Sequence, residues 1–319
     1  MLDTLVFRHL KEMCALGRVV QENHRSFRAM GVRIATGLVL IALVVLWLFF
    51  ADFAIFTMGA LFIYMVAAYE MGPLLKFKSR IPFIVVAAAA ATAMFAIAPP
   101  GNYIEQGVPV YMKYLVVAAL PFWFLSVFLV KSYPANTKWH ENKVINCIVA
   151  LLMLLPFLQG LLIMRATNFS ANYNEGAYLV LSVMALVWAA DSGAYFTGRS
   201  MGKTKLMPEV SPKKTYEGLY GGIVLAIVVM YLAKHYSLYS IYGADELGFL
   251  AAAFGAIVFS VFGDLMESML KRLVGIKDSG KIFPGHGGML DRVDSQLAAI
   301  PVFLSLYWLV SGELFHVAS

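Results

Sequence analysis

Apolar residues fill the chain in runs of about twenty, and the short segments between runs collect Lys, Arg, Asp, Gly and Pro. A helix rising about 1.5 Å per residue needs about 20 such residues to cross roughly 30 Å of hydrocarbon, so each run has the length of a membrane span. Nine spans are expected, at 31–50, 53–72, 81–98, 114–131, 144–164, 177–197, 218–234, 248–270 and 296–312. The pattern predicts an all-α, polytopic integral membrane protein. It divides into a basic leader at 1–30, an N-terminal transmembrane bundle at 31–164 and a C-terminal region at 165–319. The spans of that last region carry polar residues at one end, and the chemistry is sought there.

Composition agrees: 61% of the 319 residues are hydrophobic and only 14% charged, against about 25% charged in soluble domains. Lys and Arg are retained on the cytoplasmic side of a membrane. With the N-terminus cytoplasmic, only Lys113, Arg165 and Lys234 of the 25 basic residues fall outside; the mirror topology inverts that count. Nine spans then place the C-terminus outside. The net charge of +6 is thus spread over cytoplasmic loops, and no nucleic-acid partner is expected. Within the leader, Val6, Leu10, Met13, Gly17 and Val20 share one helical face, which fits a helix lying on an anionic leaflet and equally a solvated leader. Cys14 and Cys147 are far apart and make neither a disulfide pair nor a zinc site.

The N-terminal bundle holds one intramembrane acid, Glu70, and is otherwise nearly featureless. The sixth span places Asp191 within the cytoplasmic third of the hydrocarbon, where a carboxylate is costly unless paired or bound to a cation. Gly202 to Thr204 reads GKT, but Gly198 lies one residue too near for a phosphate-binding loop, and a helix rather than a strand precedes it. The segment Ser211 to Gly218, SPKKTYEG, combines the point charges of Lys213 and Lys214 with the capping hydroxyls of Ser211 and Thr215. In the eighth span Asp264, Glu267, Ser268 and Lys271 recur at helical spacing on one face. Two acids within one turn repel at low dielectric unless a cation compensates them, and Asp and Glu oxygens suit Mg²⁺.

Beyond them, Ser268 to Asp294 is the segment densest in chemistry. Gly280, Gly285, Gly287 and Gly288 allow close backbone approach, Lys277, Lys281, His286 and Arg292 offer phosphate donors, and Asp291 and Asp294 form a second acidic pair. Together these features predict a site for phosphate and metal at one membrane face.

At these residues the chain resembles the CDP-diglyceride synthase (phosphatidate cytidylyltransferase) family. That family's pattern is Ser, two variable residues, Lys-Arg, four residues, Lys-Asp, then Pro-x-His-Gly-Gly, two residues, Asp-Arg-x-Asp. Ser268, Lys271, Arg272, Lys277, Asp278, Pro284, His286, Gly287, Gly288, Asp291, Arg292 and Asp294 fill its fixed positions. Asp191-Ser192-Gly193, Ser211 to Thr215 with Glu217, and Gly263-Asp264-Leu265 match its other usual features. The resemblance covers about the last 145 residues well and the first half only as generic spans.

The resemblance implies transfer of CMP from CTP to phosphatidic acid, giving CDP-diacylglycerol and pyrophosphate with Mg²⁺, at the cytoplasmic face of a bacterial cytoplasmic membrane and in a homodimer. It also implies roles. Asp264 and Asp291 are expected as metal ligands, and with Lys271 and Arg292 as the catalytic set. Ser211, Lys213, Lys214, Thr215, Arg272, Lys277, Lys281, His286, Gly287 and Gly288 are expected around the substrates. Asp191, Glu217, Glu267, Asp278 and Asp294 are supporting acids that bind metal, orient cations or meet the cytidine and ribose. Two alternatives remain open. One is another metal-dependent transferase acting on a lipid or polyprenol phosphate; the other is an ion-coupled transporter, which should instead show repeats and midplane polar residues.

Overall fold

The computed structural model describes residues 35–236, 246–283 and 287–312. The leader, Cys14 and His286 lie outside them. Eight helices in the described residues are long and apolar enough to cross a membrane, preceded by the shorter apolar helix α1, Ala35–Phe50. The succession is α2 (Phe53–Leu74), α3 (Ile81–Ile97), α4 (Asn102–Glu105), α5 (Val110–Val117), α6 (Ala119–Lys131), a 3₁₀ turn (Lys138–Glu141), α7 (Lys143–Ala166) and α8 (Glu175–Met201). Strands β1 (Lys205–Met207) and β2 (Ser211–Thr215) follow, then α9 (Tyr216–His235), α10 (Glu246–Leu273) and α11 (Leu290–Ser311). Pieces α3 with α4, and α5 with α6, each make up one helix of spanning length, Ile81–Glu105 and Val110–Lys131.

Two features differ from the hydropathy reading. The SPKKT segment is the second strand of an antiparallel hairpin, pairing Lys205 with Thr215 and Met207 with Ser211. The last helix begins at Leu290 rather than near 296, so Asp291, Arg292 and Asp294 belong to its first turns. Hydropathy measures transfer into lipid, whereas a helix continues through polar residues wherever its backbone hydrogen bonds are kept.

Local chemistry sets the helix ends. Asp52 accepts the Ile55 N–H at 2.7 Å, Asn142 accepts those of Val144 and Ile145 at 2.9 and 3.3 Å, and Thr215 accepts that of Gly218 at 3.1 Å, so α2, α7 and α9 are each capped. Helices α8 and α9 touch backbone to backbone: a Cβ on Gly222 would stand 2.5 Å from the Ala190 carbonyl oxygen. The central spans α7 and α11 are the most buried.

Side chains also tie the loops of one end together. The His140 ring donates through Nε2 to the Leu74 carbonyl at 2.7 Å, and Asn146 donates to that of Leu75 at 3.2 Å, joining the α6–α7 connection to the end of α2. Burial pushes the His140 ring below the ordinary histidine range, which keeps it neutral and able to carry its single proton on Nε2. Arg272 donates through Nε to Val210 at 3.1 Å, joining the end of α10 to the hairpin. At the other end Arg165 is fully buried with no acid paired to it among the described residues, donating to Tyr173 and Ala51 carbonyls at 3.0 and 3.2 Å against the rings of Phe169 and Tyr173.

Replacing Gly222 with Val forces α8 and α9 apart. The expected cost is about 1–3 kcal/mol from overpacking, seen as a lower thermal unfolding midpoint of the detergent-solubilised protein.

Candidate active site

The polar residues of α8, β2, α10 and α11 converge beside the hairpin and the first turns of α11. On α10 the helical spacing read in the sequence brings Asp264 and Ser268 into contact, with Ser268 Oγ donating to Asp264 Oδ1 at 3.1 Å. The second oxygen of Asp264 meets Lys214 Nζ at 2.7 Å, so a lysine from the hairpin lies against the acid of the helix. Burial disfavours the Lys214 charge, but Asp264 outweighs it and holds the ammonium above the ordinary lysine range.

One turn further, Glu267 is fully buried and ion-paired with Lys271. Lys271 also donates to Asp291 Oδ1 at 2.7 Å, so one ammonium serves two acids from two helices. The other oxygen of Asp291 accepts from Ser279 N–H at 3.0 Å, Ser279 Oγ at 2.9 Å and Gly288 N–H at 2.8 Å. Gly287 beside it has φ +81, a left-handed turn, and a Cβ there would press on the same Asp291 oxygen. Asp291, expected as a metal ligand, therefore has both oxygens engaged in holding Lys271 and the loop.

Asp294, three residues on, accepts the Ser295 N–H at 2.7 Å. Asp191, Asp264 and Asp294 lie within electrostatic range of one another, with Lys214 in range of all three. Among the described residues no three His, Cys, Asp or Glu side chains are arranged as a ready metal cage. Mg²⁺ does not require one, since it typically takes one or two carboxylates and completes its octahedron with water and phosphate oxygens. The donor chemistry fits such an ion. The acids Asp191, Asp264, Glu267, Asp291 and Asp294 outnumber the bases Lys214, Lys271 and Arg292 in this cluster.

A cavity of about 580 Å³ opens beside the acids, between α8, α9, α10 and the hairpin. Asp191, Arg199, Lys205, Lys213, Lys214 and Asp264 supply its charged rim, and Leu219, Ile223, Ile257 and Val261 its apolar wall. An anionic headgroup with attached acyl chains has this pairing of charge and oil.

The sequence of residues 31–310 matches the model of the Cytidylyltransferase family. The chain is 38% identical over 284 residues to the phosphatidate cytidylyltransferase of Haemophilus influenzae, covering 87% of this chain and 98% of that one. It is 37% identical over 279 residues to that of Pseudomonas aeruginosa, covering 86% and 96%. To that of Bacillus subtilis it is 46% identical over 136 residues, covering 43% of this chain and 48% of that one. The chain belongs to the cytidylyltransferase family.

Within this cytidylyltransferase-family chain the expected residues separate into groups. Asp191, Lys214, Asp264, Glu267, Lys271, Asp291 and Asp294 come together beside the hairpin and the start of α11, and Lys213 and Thr215 line the cavity with Lys214. Arg292 is exposed but within electrostatic range of Asp191. Glu217 accepts from the backbone of Lys203 and Thr204 at 3.1 Å, closing the turn between α8 and β1, and Arg272 holds Val210; both shape the hairpin. Ser211 is a paired strand residue, and Gly287 and Gly288 form the turn on Asp291. Lys277, Asp278 and Lys281 are exposed on the α10–α11 loop and do not line the cavity. Tyr195, Arg199 and Lys205 on the rim were not anticipated as site residues, although the basic density of GRSMGKTK gave the signal.

Lys271→Met leaves Glu267 and Asp291 without their cation. The expected loss is about 3–5 kcal/mol of stability, and Lys271→Met with Glu267→Gln should recover part of it. Denaturant titration of the variants in detergent checks this; equal stabilities for Lys271→Met and the wild type would remove the compensating role.

Proposed function

We infer that the protein transfers the CMP moiety of CTP to phosphatidic acid, giving CDP-diacylglycerol and pyrophosphate. The observation that carries this reading is the cavity with a cationic rim and an apolar wall beside a cluster of aspartates. The full-length similarity to phosphatidate cytidylyltransferases supports it. In the reaction an oxygen of the lipid phosphate attacks the α-phosphorus of CTP. A new P–O bond forms there, the bond to the β-phosphate bridging oxygen breaks, and pyrophosphate leaves with that electron pair.

A phosphate monoester has a second pKa of about 6, so the attacking group is largely dianionic near neutral pH and needs little help from a base. Repulsion is the larger obstacle. At about 5 Å and an effective dielectric near 20, each pair of unit charges costs roughly 3 kcal/mol. Lys213, Lys214, Arg199 and Lys205 on the rim are placed to offset it around the lipid phosphate, while the apolar wall receives the first acyl carbons. Arg292, Lys277 and Lys281 stand nearer the loop for the triphosphate. Lys271 stays with its two acids and orients Asp291, and the loop turn holding Gly287 and Gly288 follows Asp291.

A bound Mg²⁺ supplies charge neutralisation at the triphosphate. Asp264 is the preferred ligand, with Asp294 and Asp191 from the same cluster; Asp291 joins only by giving up Lys271 or the loop. Asp264 would hold the ion with the oxygen it now presents to Lys214, and Lys214, which lines the cavity, would then be available to a phosphate oxygen.

The looped face is the cytoplasmic one in this reading. It gathers Lys76, Lys78, Arg80, Lys131, Lys138, Lys143 and the basic residues of the last two loops, and CTP is a cytoplasmic nucleotide. The helix beginning at Ala35 then serves as the first of nine crossings, with the N-terminus inside and the C-terminus outside. A homodimer and the split into an N-terminal bundle and a C-terminal catalytic region belong to the same proposal. A transport pathway is less well supported, because the acids gather beside the hairpin and the first turns of α11, to one side of mid-span.

Incubating the purified protein with phosphatidate, labelled CTP and Mg²⁺ should yield a labelled CDP-lipid; folded protein that yields none removes the reading. Asp264→Asn should lower kcat by at least about 10²-fold, the scale of losing a charge-stabilising group. A rate within a few fold of the wild type would remove Asp264 from the metal site.

A further inference from the structure

We propose that Glu70, on α2 of the N-terminal bundle, is a positioning residue that caps α11 from another part of the chain and holds the α10–α11 loop in its working shape. Glu70 is 1% exposed, and its Oε2 accepts the Leu290 N–H at 2.8 Å and the Ser279 hydroxyl at 3.2 Å. Leu290 is the first residue of α11, and Met289, at the N-cap position, offers no side-chain acceptor. An unsatisfied N–H at that end is taken up by a carboxylate lying 220 positions earlier in the chain.

The loop is moulded around this carboxyl group. A Cβ on Gly280 or on Gly288 would run into the Glu70 oxygens, so only glycine lets the backbone close over the acid from both sides. The Ser279 hydroxyl lies between Glu70 and Asp291, and its one proton can go to only one of them at a time. Glu70, Ser279, Asp291 and Lys271 thus form one connected path from α2 to α10. The base of the path is itself anchored, because His140 and Asn146 grip the last carbonyls of α2. Asp291, Arg292 and Asp294 ride on the first turns of α11, so the acid that fixes its N-terminus also fixes where those three side chains stand.

The catalytic side of this inference rests on the proposed transferase reaction; the structural side does not. Full-length protein in detergent is digested with limiting trypsin, and cleavage after Lys281 is compared with cleavage after Lys203, both exposed. In Glu70→Ala the loop opens more readily, so cleavage after Lys281 should rise by about tenfold while that after Lys203 stays within about twofold. The same variant should lose about tenfold or more in kcat for CDP-lipid formation, as a misplaced site does. Glu70→Gln keeps an oxygen that accepts the Leu290 N–H and should hold both readouts within about threefold of the wild type.

Unchanged cleavage after Lys281 in Glu70→Ala overturns the proposal, and so does a rise shared equally by both sites, which marks general unfolding. A normal kcat in Glu70→Ala, or a Glu70→Gln variant as impaired as Glu70→Ala, overturns it as well. If the wild type forms no CDP-lipid, the reaction reading falls while the cleavage ratio still decides whether Glu70 holds the loop.

Discussion

Lys271 holds together two acids that the fold brings to one place from different helices. Glu267 comes from its own helix and is fully buried; Asp291 comes from the next helix and closes the loop between them. In a low-dielectric setting neither carboxylate is tolerable alone, and the two side by side are worse, so the ammonium between them is a condition for the site to exist. Lys214 plays the same part for Asp264 from the hairpin. Removing either lysine would leave an uncompensated carboxylate in a largely buried cluster.

This requirement makes the site a composite. The hairpin must stand over α10 to deliver Lys214, which needs Arg272 bonded to Val210 and Glu217 bonded across the turn before β1. The close approach of α8 and α9 then brings Asp191 to the cavity beside Lys214. The compensation leaves more acids than bases in the cluster, a balance suited to a divalent ion carried in with a polyphosphate. The rim of the cavity is basic where the cluster is acidic, so anionic substrate and cation have adjoining places.

The N-terminal spans take part through geometry rather than reactive groups. Their contribution to the looped face is an arrangement of carbonyl and carboxylate acceptors: His140 and Asn146 secure the end of α2, and Glu70 meets the start of α11. A half of the chain that reads as generic membrane anchor thereby sets the frame on which the last two helices are registered.

The amino-acid sequence by itself determined the architecture, because burying backbone in hydrocarbon leaves long apolar helices as the economical solution and their runs are visible residue by residue. It also determined the cluster on α10, since Asp264, Glu267, Ser268 and Lys271 lie within two turns and helical periodicity alone puts them on one face. The family pattern of the last loop was equally legible. Tertiary structure alone decided how the charges pair. Lys214 and Asp264 are 50 positions apart, Lys271 and Asp291 are 20 apart, and Glu70 and Leu290 are 220 apart, so no local spacing links them. Pairing across such distances depends on which helix ends meet, and that is set by backbone packing at small residues and by the hairpin that hydropathy does not register. For the same reason Asp291 and Asp294, three residues apart and alike in sequence, differ in their partners: Asp291 holds the loop and Lys271, whereas Asp294 accepts the Ser295 N–H and lies within electrostatic range of Asp264, Glu267 and Asp191.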